Sequence, residues 1–329
     1  MKKSNNILIT GGAGYIGSHL AEQLVKIKAN IIILDNLVTG HKKLINKKAI
    51  FIKEDLKNKN VLNKIIQEYQ IDTIIHLAAH LNVSEAEKNK KKYYKNNIEG
   101  TLNLVNSCKN SKVNNIIFSS SCAIYGNTKG PVNEKRKPNP QGYYALTKYK
   151  SEEIIKKFSK KYGYRYAILR YFNVAGASSS GKIGEIESSY GHLIKNIAIQ
   201  SLKKKPLISI YGNDYATKDG TCIRDYIHVS DLADIHVKTL KYMDRYFKSL
   251  ILNCGYGKGH SVLDIVNIFK KKNNKLIIDY KKRRPGDVAE VYSDTKKFRK
   301  ILKWKPKFNN LDKIIGSAIK WEKKLLYHD

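Results

Sequence analysis

Between residues 6 and 173 the chain alternates short apolar runs with longer amphipathic stretches. The runs read "NILIT", "NIIILDN", "AIFIKEDL", "DTIIHLAA", "NNIIFSSS" and "RYAILRYFN". The stretches between them include "SHLAEQLVKIK", "NVLNKIIQEYQ", "NNIEGTLNLVNSCKNS" and "YYALTKYKSEEIIKKFSKKYG". Parallel neighbours cannot be joined by a tight turn and need a crossover, usually a helix. Alternation of this kind therefore predicts an α/β fold: a parallel sheet with helices on both faces. After residue 175 the pattern loosens. "ASSSGKIGEIESSYG" reads as loop and shorter elements follow. We expect a first domain over 1–175 and a smaller lobe over 176–329. The segment "IRDYIHVSDLADIHVKTLKYM" has the look of a strand and helix that return to the main sheet near 225–250. No internal repeat and no low-complexity linker interrupts the chain.

Gly11, Gly14 and Gly17 stand between the first run and the first amphipathic stretch. Glycines there let the backbone approach a pyrophosphate, and the helix N-terminus adds partial positive charge. A glycine pattern alone is weak. Here Asp35 closes the second run, where a carboxylate holds adenosine ribose hydroxyls and repels a 2′-phosphate. The combination predicts a Rossmann-type, doubly wound sheet that binds NAD rather than NADP. A turn followed by a surface acid is the plainer alternative.

Further on, "GYYALTK" sets two tyrosines before a lysine. Residues four apart share a helix face, so Tyr144 can meet Lys148 while Tyr143 points elsewhere. A free phenol titrates near about 10, and a fixed cation beside it favours the phenolate. An ordinary amphipathic helix with a surface lysine would show the same spacing.

The Gly-x-x-Gly-x-x-Gly spacing resembles that of the extended short-chain dehydrogenase/reductase family, in which Tyr144 and Lys148 fit the Tyr-x-x-x-Lys pair and Ser121 of "SSSCAIYG" the serine upstream. "TGGAGYIGSH", "LDNLVTG", "YYKNNIEGTLNL", "SSSCAIYG", "RYFNVAGA" and "GNDYATKDGTCIRDYIHVSDLADIHV" together resemble the UDP-glucose 4-epimerases of that family, from residue 10 to about 237; "RRPGDVAEVYSD" is similar more loosely. The resemblance implies Ser121, Tyr144 and Lys148 as catalytic residues. It implies NAD contacts at Gly11, Gly14, Tyr15, Ile16, Gly17, Asp35, Asn36, Asp55, Leu56, Leu77, Ala78, Ala79, Asn96 and Phe172, besides the catalytic three. It implies UDP-sugar contacts at Asn173, Leu193, Tyr211, Arg224, Arg284, Asp287 and Val291, besides Ser121 and Tyr144. Guanidinium groups match diphosphate oxygens in a bidentate way; a salt bridge from Arg224 to Asp225 is the competing reading. Leu81 stands where some epimerases carry a lysine, so that cofactor contact is open. We read His76 as a packed strand histidine and leave His80 unassigned.

The resemblance also implies a homodimer, with helices at 98–108 and 144–158 pairing with their twins through Ile98, Leu102, Val105 and Ile154. A core-facing helix explains the same stripe. In "RPGDVAEVYSD", Val291 would leave room for an N-acetyl group beside the sugar, whereas a one-residue shift would put Tyr292 there and close the pocket.

Composition bounds the remaining classes. The formal charge of +34 suggests a nucleic-acid partner. The excess is lysine rather than arginine, is spread along surface helices, and accompanies abundant Asn and Ile, as an AT-rich genome would produce. We therefore expect no nucleic-acid partner. No apolar run approaches a membrane span, and "MKKSNNILITGGAG" has no signal-peptide core. Cys108, Cys122, Cys222 and Cys254 are scattered, which fits a reducing cytoplasm and gives no metal site. Nucleotide-sugar 4,6-dehydratases and UDP-glucuronate decarboxylases share the fold but need an acid after the active-site Ser/Thr, where this chain has Cys122 and Ala123. Other NAD-dependent 4-epimerases acting on UDP-pentoses or UDP-N-acetylglucosamine, and a non-catalytic NAD- or RNA-binding protein, complete the alternatives.

Overall fold

The computed structural model describes residues 5–186, 191–272, 275–284 and 286–328. Its centre is a sheet of seven parallel strands: β1 (Asn6–Thr10), β2 (Asn30–Asp35), β3 (Ile50–Lys53), β4 (Thr73–His76), β5 (Asn115–Ser121), β6 (Arg165–Tyr171) and β7 (Leu250–Cys254). They lie in the order β7-β6-β5-β4-β1-β2-β3. The order reverses between β1 and β4, which opens a crevice at their carboxyl ends, the usual ligand site of such sheets.

Burial on both faces explains the unbroken apolar runs. Ile7, Ile9, Ile31 and Ile33 face one core with helices α1 (Tyr15–Lys26) and Val229–Tyr246. Leu8, Ile32, Leu34 and Ile74 alternate to the other face and meet α2 (Lys59–Glu68), α3 (Gly100–Ser107) and α4 (Tyr143–Tyr162). The period of two along each strand thus distributes one sequence between two cores. Of the strand and helix expected to return to the main sheet near 225–250, the strand Tyr226–His228 pairs instead with Asn173–Ala175 in a sheet of its own. Helix Val229–Tyr246 leads to β7, which pairs with β6 from Leu250 against Ala167 to Cys254 against Tyr171.

α4 starts after the extended Gly142 and stops at Gly163, whose left-handed φ of 78° lets its N–H reach the Ser159 carbonyl at 2.8 Å. Unusually, its inner face buries Thr147, Lys148, Ser151 and Glu152. Ahead of α3, residues Tyr94–Glu99 form a π-helical turn, a local widening frequent at functional sites. Asn97 within it is buried, and its side chain accepts from the His80 N–H (2.9 Å) and donates to Thr147 (3.1 Å).

Beyond residue 172 the strands are short. Ile223–Arg224, Glu290–Ser293 and His260–Ser261 form a small sheet with Pro131–Val132 from the first half of the chain. Leu207–Tyr211 pairs in parallel with Ile277–Lys281. Part of "ASSSGKIGEIESSYG", residues 187–190, lies outside the described residues, as does Pro285 of "RRPGDVAEVYSD". Val105 does not belong to an exposed stripe. It is buried at 1 % exposure in the core beneath α3, because it falls on the helix face turned to α2; Ile98, Leu102 and Ile154 are half-buried.

Candidate active site

The carboxyl ends of the strands and the residues after 172 enclose a cleft of ≈ 710 Å³. Every residue named above as catalytic, cofactor-binding or substrate-binding lines it, from Gly11 to Val291, and Tyr143 does not.

At one end the glycines form a cradle. Gly11 has a φ of 75°, and a Cβ there would sit 2.7 Å from the Ala78 nitrogen. A Cβ on Gly17 would lie 2.4 Å from the Gly11 oxygen. Only glycine lets the loop, the start of α1 and the end of β4 approach this closely. Asp35 is buried beside the cradle; its carboxylate accepts from the Ala13 (3.0 Å) and Leu37 (2.9 Å) N–H groups, while burial raises its affinity for a proton. Asn36 donates to Asp55 at 2.8 Å, and Leu56, Leu77, Ala78, Ala79 and Asn96 continue the wall. A Gly-rich loop, a helix N-terminus and an acid at the end of β2 fit a dinucleotide with free 2′-hydroxyl.

The centre holds Ser121, Tyr144 and Lys148. Burial pushes the Tyr144 phenol up to about 12, against a hydrogen bond with Ser121. Burial pulls Lys148 down to about 7, with Glu152 acting in the opposite direction. The Lys148 ammonium donates to the Ser119 carbonyl at 2.8 Å and lies 5.1 Å from the Phe118 ring centroid. The expected lowering of the phenol by Lys148 is thus not found in the protein alone: the ammonium is held by β5, and desolvation of the phenol dominates.

At the far end Arg224 donates to the carbonyls of Ile223 (2.9 Å) and Val288 (2.7 Å). Asp225 is occupied elsewhere, accepting from Tyr256, Gly257 and Ser293, so the Arg224–Asp225 bridge is not formed. Arg284 donates to Asp287 at 2.8 Å and stacks over Tyr211 at 5.0 Å. Val291 is buried on the cleft wall with Phe172 and Cys122, whereas Tyr292 on the same strand points away to Gly130 and Gly259. Strand alternation therefore puts Val291, and not Tyr292, on the cleft wall.

His76 is a packed strand residue: it bonds Thr10 (2.7 Å) and Thr101 (3.0 Å), and burial draws it down to about 3. His80 and Leu81 both line the cleft. Sequence reasoning missed a polar cluster on the same wall. Glu185 pairs with His192 at 2.5 Å, and Lys195 with Glu322 at 2.5 Å. His192 directly precedes Leu193, a signal that was present; Glu322 comes from a helix more than a hundred residues later and had none. Among the described residues no cluster suits a metal ion, and no helix is long and apolar enough to cross a membrane.

Residues 7–255 match the NAD dependent epimerase/dehydratase family. The chain belongs to that family. Within it, a UDP-glucose 4-epimerase of Lactobacillus helveticus is 42 % identical over 96 % of this chain and 97 % of its own length. A UDP-glucose 4-epimerase of Bifidobacterium longum, solved in complex with NAD+ and UDP, superposes with a TM-score of 0.91 at 31 % identity, over 97 % of this chain and 98 % of its own. The UDP-Glc/GlcNAc 4-epimerase of Campylobacter jejuni is 38 % identical with a TM-score of 0.84, over 98 % and 99 %. The family member described here shares their architecture over nearly its whole length, the Rossmann-type sheet included.

Proposed function

We propose that this enzyme interconverts UDP-glucose and UDP-galactose with tightly bound NAD. One observation carries the reading: a glycine cradle with an acid at the end of β2, a Ser-Tyr-Lys centre and two arginines open into one cleft. Residues 1–175 provide the cofactor end, and 176–329 mainly the UDP-sugar end.

NAD, when bound, supplies reversible two-electron oxidation at the sugar C4. The chain's own residues handle the proton and the pose. Ser121 hydrogen-bonds the 4-oxygen and Tyr144 takes its proton as C4 becomes a ketone. Because burial holds the phenol near 12, Tyr144 is a poor base until positive charge is brought beside it. Lys148 has donors left for the nicotinamide ribose. Arg224 and Arg284 grip the diphosphate while the 4-keto sugar turns about that linkage and offers its other face. Tyr144 then returns the proton to the inverted alcohol. Firm contacts at UDP and sparse ones at the sugar are what such a turn requires.

The elimination and decarboxylation alternatives lack a proton carrier. Burial pushes the Cys122 thiol up to about 12, and Ala123 has no acid. A wider sugar range has one observation in its favour, the small Val291 on the cleft wall. A homodimer through Ile98, Leu102 and Ile154 and a cytoplasmic setting complete the proposal. Four buried, free cysteines suit that compartment.

The test is to incubate purified protein with UDP-galactose and no added NAD, and to look for UDP-glucose. Conversion is expected. No conversion by protein carrying NAD would refute the reading. Sedimentation as a monomer at micromolar concentration would refute the dimer, and salt-resistant RNA retention on filters would favour the RNA-binding alternative.

A further inference from the structure

The steps above leave several buried carboxylates unused, and one of them, Glu152, shares α4 with Tyr144 and Lys148. Glu152 is 0 % exposed. Its Oε1 accepts from the Ser120 hydroxyl (2.5 Å) and from Arg170 Nε (3.0 Å), and its Oε2 from Arg170 Nη2 (2.8 Å). Arg170 on β6 also donates to the Tyr125 hydroxyl (2.8 Å), which donates to Asn253 on β7 (2.8 Å). Such a pair is weak support for stability, because desolvating two charges offsets their attraction.

Its placement suggests another role. Tyr144, Lys148 and Glu152 follow at four-residue steps on α4. Ser119, Ser120 and Ser121 are consecutive on β5. The Ser119 carbonyl receives the Lys148 ammonium at 2.8 Å, Ser121 meets Tyr144, and the residue between them is tied to Glu152. One carboxylate therefore fixes the helix that bears Tyr144 and Lys148 to the strand segment that holds their partners.

We propose that Glu152, clamped by Arg170, is a positioning residue for the C4 chemistry: through Ser120 it sets Ser121 against Tyr144, and it is the buried counter-charge of the Lys148 ammonium. This rests on the epimerase reading above. The groups facing Lys148 are consistent with it. β4 offers His76, which burial and Lys148 keep neutral. β5 offers the Phe118 ring and the Ser119 carbonyl. β6 offers Arg170, already engaged by Glu152, and α4 itself offers Tyr144 and Glu152. Glu152 is the one anion among these groups. Its removal lowers the affinity of Lys148 for its proton, so activity that needs the ammonium is lost at lower pH.

Two variants test this. Ser120→Ala cuts the tie and keeps the ion pair. The double variant Glu152→Gln, Arg170→Met removes both charges, so that neither stays buried alone, which would destabilise the fold strongly. In NAD-loaded enzyme with UDP-galactose, the double variant is expected to lose at least about tenfold in kcat per loaded chain, a part of the roughly 100-fold or more that a positioned acid/base contributes. Ser120→Ala should lose a smaller part, and KM should stay within about twofold for both. Although the double variant also loses the Arg170 charge, it is Glu152, four residues along α4, that holds Lys148 up. The alkaline limb should therefore still move acidward, by less than the loss of a lone anion would give. Titration of isotope-labelled Lys148 by NMR in the holoenzyme should show the same shift without any turnover. Wild-type kcat per loaded chain in both variants, or an unmoved Lys148 titration in the double variant, would overturn the proposal. Absence of turnover in the unmutated enzyme would refute the epimerase reading instead and leave the titration to judge the counter-charge.

Discussion

Replacing Gly11 by alanine tests whether close backbone approach holds the cofactor end together, and Gly163 supplies the control. Both glycines are left-handed, with φ of 75° and 78°. Alanine costs about 1–2 kcal/mol at either position for the conformation alone. At Gly163 nothing lies within 4 Å of the new Cβ, so that is the whole cost. At roughly 2–4 °C per kcal/mol, Gly163→Ala should lower Tm by about 2–8 °C. At Gly11 the Cβ would also sit 2.7 Å from the Ala78 nitrogen and 2.9 Å from its Cα. These are backbone atoms at the end of β4 and cannot swing aside. Restoring an ordinary contact of 3.4 Å needs a displacement of 3.4 − 2.7 = 0.7 Å between the loop and β4. Overpacking of this kind adds about 1–3 kcal/mol and moves the cradle away from the pyrophosphate. Gly11→Ala should therefore melt lower than Gly163→Ala and purify with little NAD, while Gly163→Ala keeps its full complement. The assays are a thermal melt and NAD released per chain on denaturation. Equal Tm loss and equal NAD content in the two variants would refute the reasoning.

Other expectations concern the site. Tyr144→Phe should keep fold and NAD but lose at least about 100-fold in turnover, and Tyr143→Phe, outside the cleft, far less; equal losses would defeat the assignment. Asp35→Ala should discriminate less against NADP, whereas equal binding of both cofactors by the unmutated protein would remove Asp35 as the selector. The unmutated enzyme should epimerise UDP-N-acetylglucosamine as well as UDP-glucose, and Val291→Tyr should suppress the first and spare the second. Turnover of UDP-glucose alone by the unmutated enzyme would show that Val291 does not open the pocket.

The first six strands could be read from the chain because each is an apolar run with a glycine, acid or polar break at its end. The seventh could not be placed: "LILNC" is as long as "NILIT", but it comes after the regular alternation has broken down, and it owes its position to pairing with β6. Four-residue spacing correctly put Tyr144 and Lys148 on one face of α4. It could not show that the ammonium would reach β5, since that depends on how the helix is seated. Val105 illustrates the limit of amphipathic stripes, which mark what is buried and not what buries it. The Lys195–Glu322 pair joins segments 127 residues apart, and Glu185 and His192, seven residues apart, both lie outside the helices and strands, so no local pattern foretells either meeting. Val291 and Tyr292 differ by one position, and only the pleat of the strand separates a cleft residue from an outward one.

The late arrival of β7 has a consequence for a chain made from its N-terminus. β6 ends at Tyr171 and its outer neighbour begins at Leu250. During synthesis the backbone N–H and C=O groups on the outer edge of β6 therefore wait without a partner while roughly 80 residues emerge, or about 4–16 s at ribosomal speeds. An unpaired apolar edge of this kind is a template for joining another nascent chain. Chaperone demand should accordingly peak before residue 250 leaves the ribosome and fall once "LILNC" has docked. A ribosome-bound chain stalled short of that point should stay protease-sensitive and sticky, and one stalled well beyond it should not.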